Sequence, residues 1–202
     1  VPARIYLIRH AESTSNAERR YAGSSDSPLS EWGRRQAEQL AEALHAVPLR
    51  AVYTSPLRRA VETASPIATD HGLEPVLVTD FREHGLGDWE GLTLSDVETR
   101  YPELLKQWYD RPNETRIPGG ETIDEMRARV VPVFREIAGR HSDEILAIIA
   151  HGGVNRAILL SVLDAPLSSY WRFRLPNAGI SLVEMDGDRA WLMVLNDTAY
   201  LR

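Results

Sequence analysis

The sequence predicts an α/β protein: a three-layer sandwich with a mostly parallel central sheet, helices on both faces and a C-terminal β-hairpin. Three observations carry this. Short unbroken apolar runs, Ile5-Tyr6-Leu7-Ile8 and Ile145–Ala150, read as strands covered on both faces. Longer segments between them carry apolar residues at helical spacing. Near the end, two strand-like stretches flank Asp186-Gly187-Asp188, a hairpin turn.

The elements follow in order. Ile5–Ile8 is the first strand. Ser30 starts a helix whose buried stripe is Ala37, Leu40, Ala41 and Leu44, and Pro48 ends it. Ala51-Val52-Tyr53 is the second strand. Pro56 suits a helix first turn, and that helix runs through Arg59, Thr63 and Ile67 to about His71, with Gly72 as its stop. Val76-Leu77-Val78 is the third strand. From about residue 84 to 120 the chain is rich in Gly, Pro, Trp and charge, with short helices expected near Ser95–Tyr101 and Glu103–Trp108. Weak regularity over such a length marks a lid-like insertion in one domain spanning residues 1–202. A long helix with Ile123, Met126, Val130, Phe134 and Ile137 on one face follows. The strand Ile145–Ala150 then runs into His151-Gly152-Gly153 and a helix through Leu159 and Leu163. The hairpin pairs Ile180–Met185 with Ala190–Leu195.

Composition narrows the function. With 202 residues, 43% hydrophobic and 26% charged, the chain has the make-up of one globular domain. Its 23 Lys+Arg against 29 Asp+Glu give a formal net charge of -6, which argues against nucleic acid or anionic membrane as partner. No apolar run approaches the roughly 18–20 residues that span a bilayer. The chain has no cysteine, which excludes disulfides, thiolate zinc sites and a cysteine nucleophile. Val1-Pro2-Ala3-Arg4 leads straight into a strand without a secretory-signal pattern, so a cytoplasmic location is the expectation.

In an open α/β sheet, reactive residues gather past the carboxyl ends of the strands. Those ends deliver Arg9-His10-Ala11-Glu12-Ser13 with Asn16, then Thr54-Ser55-Pro56 leading to Arg58-Arg59, then Asp80 and Glu83, then His151-Gly152-Gly153. Each group alone suits a surface pair, a cap or a core histidine. Their shared edge is what points to a site.

Arg9-His10-Ala11-Glu12-Ser13-Thr14-Ser15-Asn16 resembles the signature of the histidine phosphatase, or phosphoglycerate mutase-like, superfamily. Four further blocks resemble that family in order: Ser55–Ala60 with Thr63-Ala64, Arg82-Glu83 with Gly87–Gly91, Pro118–Thr122, and Ala150–Gly153. The family's first motif often has glycine where this chain has Ala11, and the added methyl is expected to be tolerated.

The resemblance implies a phosphoglycerate mutase-like fold and a phosphohistidine intermediate. His10 would be the nucleophile, neutral at its attacking nitrogen. Arg9, Asn16, Arg59, His151 and Gly152 would bind phosphate, with guanidinium gripping two oxygens at once. Glu83 would protonate the leaving alkoxide and then activate water, with activity falling at alkaline pH. Glu12 is expected to point along the adjoining turn and Glu90 to brace a loop. The six histidines, His10, His45, His71, His84, His141 and His151, show no metal-ligand spacing, so neither metal nor cofactor is expected.

Glu83-His84-Gly85-Leu86-Gly87 most resembles the broad-specificity phosphatase branch, which implies a metal-independent phosphomonoesterase acting on a small phosphorylated substrate. Leu86 would be an apolar wall, and Tyr21, Ala22 and Gly23 would form a substrate-contacting loop. Tyr101, Leu104, Leu105, Trp108 and Tyr109 could roof the pocket, while His84 reads as incidental. A mutase and a silent phosphate-binding protein are the alternatives. The hairpin edge fits either a monomer or a homodimer.

Overall fold

The computed structural model describes residues 1–202. Six strands, β1 (Ala3–Arg9), β2 (Leu49–Thr54), β3 (Val76–Leu77), β4 (Ile145–Ala150), β5 (Ile180–Asp186) and β6 (Arg189–Asp197), form one sheet in the order β3-β2-β4-β1-β5-β6. β1, β2, β3 and β4 run parallel. β5 turns back antiparallel to β1, and β6 pairs antiparallel with β5. The helices are α1 (Thr14–Ala17), α2 (Glu31–Leu44), α3 (Arg58–Asp70), α4 (Leu94–Arg100), α5 (Pro102–Asp110), α6 (Ile123–Arg140) and α7 (Gly152–Val162).

The apolar runs behave as two-faced strands. In β4, Leu146, Ile148 and Ala150 join one core, while Ala147 and Ile149 join the other. In β1, Ile5 and Leu7 join the first and Ile8 the second. The second core is closed by α2 and α3 through Leu40, Leu44, Ala60, Ala64 and Ile67. The first is closed by α6 and α7 through Met126, Val130, Phe134, Val154 and Ile158. Truncating a buried Ile or Leu in such a layer costs about 2–5 kcal/mol. The middle segment belongs to the first core, because Trp89, Val97, Trp108 and Ile117 are buried in it.

Local chemistry sets the helix ends. Ser30 caps α2 by accepting from Gly33 N at 2.9 Å, and Thr122 caps α6 in a reciprocal box with Glu125. Gly72 ends the turn after α3 with φ +64°, a left-handed conformation that glycine adopts without strain.

Three details differ from the sequence reading. α3 begins at Arg58, so Pro56 lies before the helix rather than in its first turn. Leu57 is extended and donates to Ser55 Oγ, while Asp26 caps Arg58 N at 2.6 Å. β3 has only two residues, because Val78 hands over to a 3-10 turn at Thr79–Phe81. The single turn α1 was not anticipated; Ser13 and Asn16 hold it in a capping box.

Candidate active site

The carboxyl ends of parallel β1, β2 and β4 meet at one sheet edge and carry Arg9-His10, Ser55 and His151. The turn after β3 brings Glu83 to the same place. A cavity of about 250 Å³ opens there. Arg9, His10, Asn16, Arg59, Glu83 and Gly152 line it, as do Tyr21, Ala22, Gly23 and Leu86. His151 lies beneath, fully buried, its ring 5.1 Å from that of His10.

His10 Nδ1 is 2.6 Å from the carbonyl of Ala11. A carbonyl only accepts, so the proton sits on Nδ1 and Nε2 keeps its lone pair. Burial, reinforced by the charges of Arg59 and Arg9, pushes the pKa of His10 well below the usual 6.5. The ring is therefore neutral at neutral pH, with its Nε2 lone pair available. His151 is also pushed far down, first by burial and then by Arg59, His10 and Arg9. Its Nε2 meets Ser55 Oγ at 2.7 Å, and its Nδ1 is buried without a partner.

The two arginines are held by main-chain oxygens. Arg9 donates from Nη1 to Leu175 O at 2.5 Å. Burial brings its pKa down to about 10; Glu83 opposes the fall, and Arg156 and Arg59 add to it. Arg59, 1% exposed, donates to Ser25 O and Gly23 O, each at 2.7 Å. Burial lowers its pKa, and Glu83, Asp26 and Glu90 raise it. The Nε of each arginine is buried and unpartnered. Buried guanidiniums without a carboxylate in contact are costly unless an anion arrives to pair with them. Asn16 adds a donor. Its Oδ1 accepts from Ser13 N, Ser13 Oγ and Asn177 Nδ2, which leaves the NH₂ for the cavity.

Glu83 stands at the opposite wall, its carboxylate fixed by backbone. Oε1 accepts from His84 N at 2.8 Å and Oε2 from Gly153 N at 3.1 Å. A Cβ on Gly153 would lie 2.5 Å from Glu83 Oε1 and 2.9 Å from Tyr170 Oη, so only glycine allows this approach. Arg129 of α6 grips the strip that carries Glu83. It donates to Asp80 O, Arg82 O and Glu83 O at 2.5, 2.8 and 3.2 Å, and pairs with Glu121 at 2.5 Å. Glu121 in turn accepts from Gly85 N at 3.0 Å.

The other carboxylates are tied up. Glu12 accepts from Ser30 Oγ at 2.7 Å. Glu90 accepts from Ser24 N, Ser24 Oγ and Leu86 N, joining the Gly23 loop to the Leu86 turn. The Ala11 N–H donates to Thr63 Oγ1 at 3.0 Å, away from the cavity.

The expected roof is only partly present. Trp108 lines the cavity, but Leu105 is buried in the core, Tyr101 packs on Trp89 and half-exposed Tyr109 leans on Trp171. Amphipathic α5 turns Leu105 and Trp108 inward. His84 is not incidental: it is 3% exposed, stacks on Trp108 at 5.2 Å and lines the cavity. Arg20, Arg156, Tyr170 and Trp171 also line it and were missed. Arg156 had a readable signal, since it follows Gly152 by four residues on α7 and so shares its face. Tyr170 and Trp171 lie in an irregular stretch with no such signal. No group of three or more His, Asp and Glu side chains could hold a metal ion, and no helix is long and apolar enough to cross a membrane.

Known proteins are similar to this chain in sequence and in fold. The chain is 34% identical over 198 residues to phosphoserine phosphatase 1 of Hydrogenobacter thermophilus, covering 98% of this chain and 94% of that protein. It superposes on Bacillus stearothermophilus YhfR with a TM-score of 0.93 at 32% identity, covering 99% and 100% of the two chains. A mycobacterial glucosyl-3-phosphoglycerate phosphatase gives a TM-score of 0.89 at 28% identity, covering 98% and 100%. Residues 5–198 match the family description, and the chain belongs to the histidine phosphatase superfamily, branch 1.

Proposed function

We propose that this chain is a phosphomonoester hydrolase that works on a small phosphorylated metabolite through a phosphohistidine at His10. One observation carries the reading: a neutral His10, its Nε2 free, stands among buried arginines that have no carboxylate partner. The relatives named as phosphatases support it.

In this reading Arg9, Arg59, Asn16 and His151 hold the phosphoryl oxygens and neutralise the charge that builds on them. Nε2 of His10 attacks phosphorus while the ester P–O bond breaks. The Glu83 carboxyl gives its proton to the departing alkoxide, which leaves as alcohol. Water enters, Glu83 takes one of its protons, and the hydroxyl oxygen attacks phosphorus as the P–N bond breaks. Phosphate leaves, His10 is neutral again and Glu83 is again protonated. Each step balances without metal or cofactor.

Residues 84–120 contribute Leu86 and Trp108 as walls of the cavity and are the insertion of a single domain. We take the working environment as cytoplasmic and the partners as small phosphate esters. The acidic balance of -6 disfavours nucleic acid, and the exposed β6 edge fits a monomer or a homodimer. The experiment is acid-stopped and alkali-stopped labelling with a radioactive phosphate ester, followed by product analysis with 3-phosphoglycerate. Alkali-stable label at His10 with release of glycerate supports the reading. Isomerised phosphoglycerate in place of free phosphate would replace it with a mutase.

A further inference from the structure

Arg156 is a further cation at the cavity, outside the set of residues that the proposed mechanism assigns to the phosphoryl oxygens. Its Nε is buried with no hydrogen-bond partner, and it lines the cavity. Arg20, the other extra cation there, is already engaged with Glu18 at 2.9 Å. Arg156 is held rigidly: its guanidinium lies 5.3 Å from the Tyr170 ring centroid and 4.9 Å from that of Trp171. Trp171 is fixed in turn, because its indole N–H donates to Trp108 O at 2.9 Å.

Its position is on the leaving-group side. Tyr170 Oη and Glu83 Oε1 approach the same face of Gly153, so the ring under Arg156 adjoins the group assigned to protonate the alcohol. Arg156 Nη1 also lies 3.8 Å from the point where a Gly152 Cβ would stand, beside Arg9 Nε at 3.7 Å. An anion held there would thus be a short step from the phosphoryl group. A planar guanidinium matches a carboxylate.

We propose that Arg156 forms a carboxylate subsite, so that the preferred substrate is a phosphate monoester whose alcohol carries a carboxylate near the ester oxygen. This rests on the hydrolase reading of the same cavity.

The test compares O-phosphoserine with O-phosphoethanolamine, which differ by one carboxylate. Wild-type enzyme should favour phosphoserine in kcat/KM. Arg156→Met should reduce the ratio of the two kcat/KM values on the order of 10- to 100-fold, the worth of a charged hydrogen-bonded contact. Arg156→Lys should retain part of the ratio. Using a ratio within one protein removes any loss of folded enzyme. The same two esters are titrated calorimetrically into His10→Asn with and without Arg156→Met, which reads the subsite without turnover. A wild-type enzyme indifferent to the carboxylate, or a ratio that Arg156→Met leaves unchanged, overturns the subsite. If wild-type enzyme hydrolyses neither ester nor an aryl phosphate, the hydrolase reading fails and the affinity ratio decides the subsite.

Discussion

Gly153→Ala tests the placement of Glu83 with the smallest possible change. The new Cβ would stand 2.5 Å from Glu83 Oε1, so the carboxylate must retreat by about 0.9 Å to reach ordinary contact at 3.4 Å. Tyr170 Oη at 2.9 Å and Met126 Sδ at 3.3 Å close the other directions, so the strain falls on the carboxylate. The 3.1 Å bond from Gly153 N to Glu83 Oε2 is lost with it. A misplacement of about 1 Å costs roughly 100-fold, within the range of about 10²–10⁴ for general acid catalysis. Single-turnover phosphoenzyme formation should therefore fall about 100-fold with an alkyl phosphate, whose alkoxide must be protonated. With 2,4-dinitrophenyl phosphate, whose leaving group needs no proton, it should fall only severalfold. Equal losses on both esters, or none on either in a folded protein, would refute the assignment of Glu83 as acid.

Other consequences follow from the same geometry. Arg129→Met should lower kcat more than KM, with the same leaving-group dependence, because the carbonyls around Glu83 lose their clamp; loss of the part-buried pair with Glu121 should also cost about 1–2 kcal/mol in chemical denaturation. His10 and His151 are held neutral when folded but protonate when unfolded near pH 6.5, so the unfolded chain binds more protons as pH falls. Stability should then drop below pH 6.5, by up to about 1.4 kcal/mol per pH unit per histidine, and melts of His10→Gln and His151→Gln should show a shallower slope than wild type. Activity should survive exhaustive dialysis against EDTA unchanged; a loss restored by a divalent ion would contradict the metal-free steps.

The mostly parallel sheet and the convergence at one edge were readable because β1 and β4 are unbroken apolar runs ending in Arg9-His10 and His151. Parallel neighbours must present their carboxyl ends together, so the motifs met without any knowledge of side-chain packing. Pro66 and Pro132 sit inside α3 and α6, where propensity alone would break a helix, yet the apolar spacing of Ile67, Val130 and Phe134 reads as helix across them and their packing holds both sides. Tertiary contacts hid the rest. Arg129 carries no sequence signal of its role, and only the fold brings oxygens of four residues to it. His84 looked accidental because its stacking partner Trp108 lies 24 residues away.

The proposed phosphohistidine chemistry stands on His10 as the nucleophile. Stopping the reaction in alkali within milliseconds of mixing with a labelled phosphate ester, then mapping the label, measures this directly. One phosphoryl group per chain on His10, absent from a folded His10→Ala protein, is the predicted result. Label elsewhere, or turnover by His10→Ala at the wild-type rate, would contradict it.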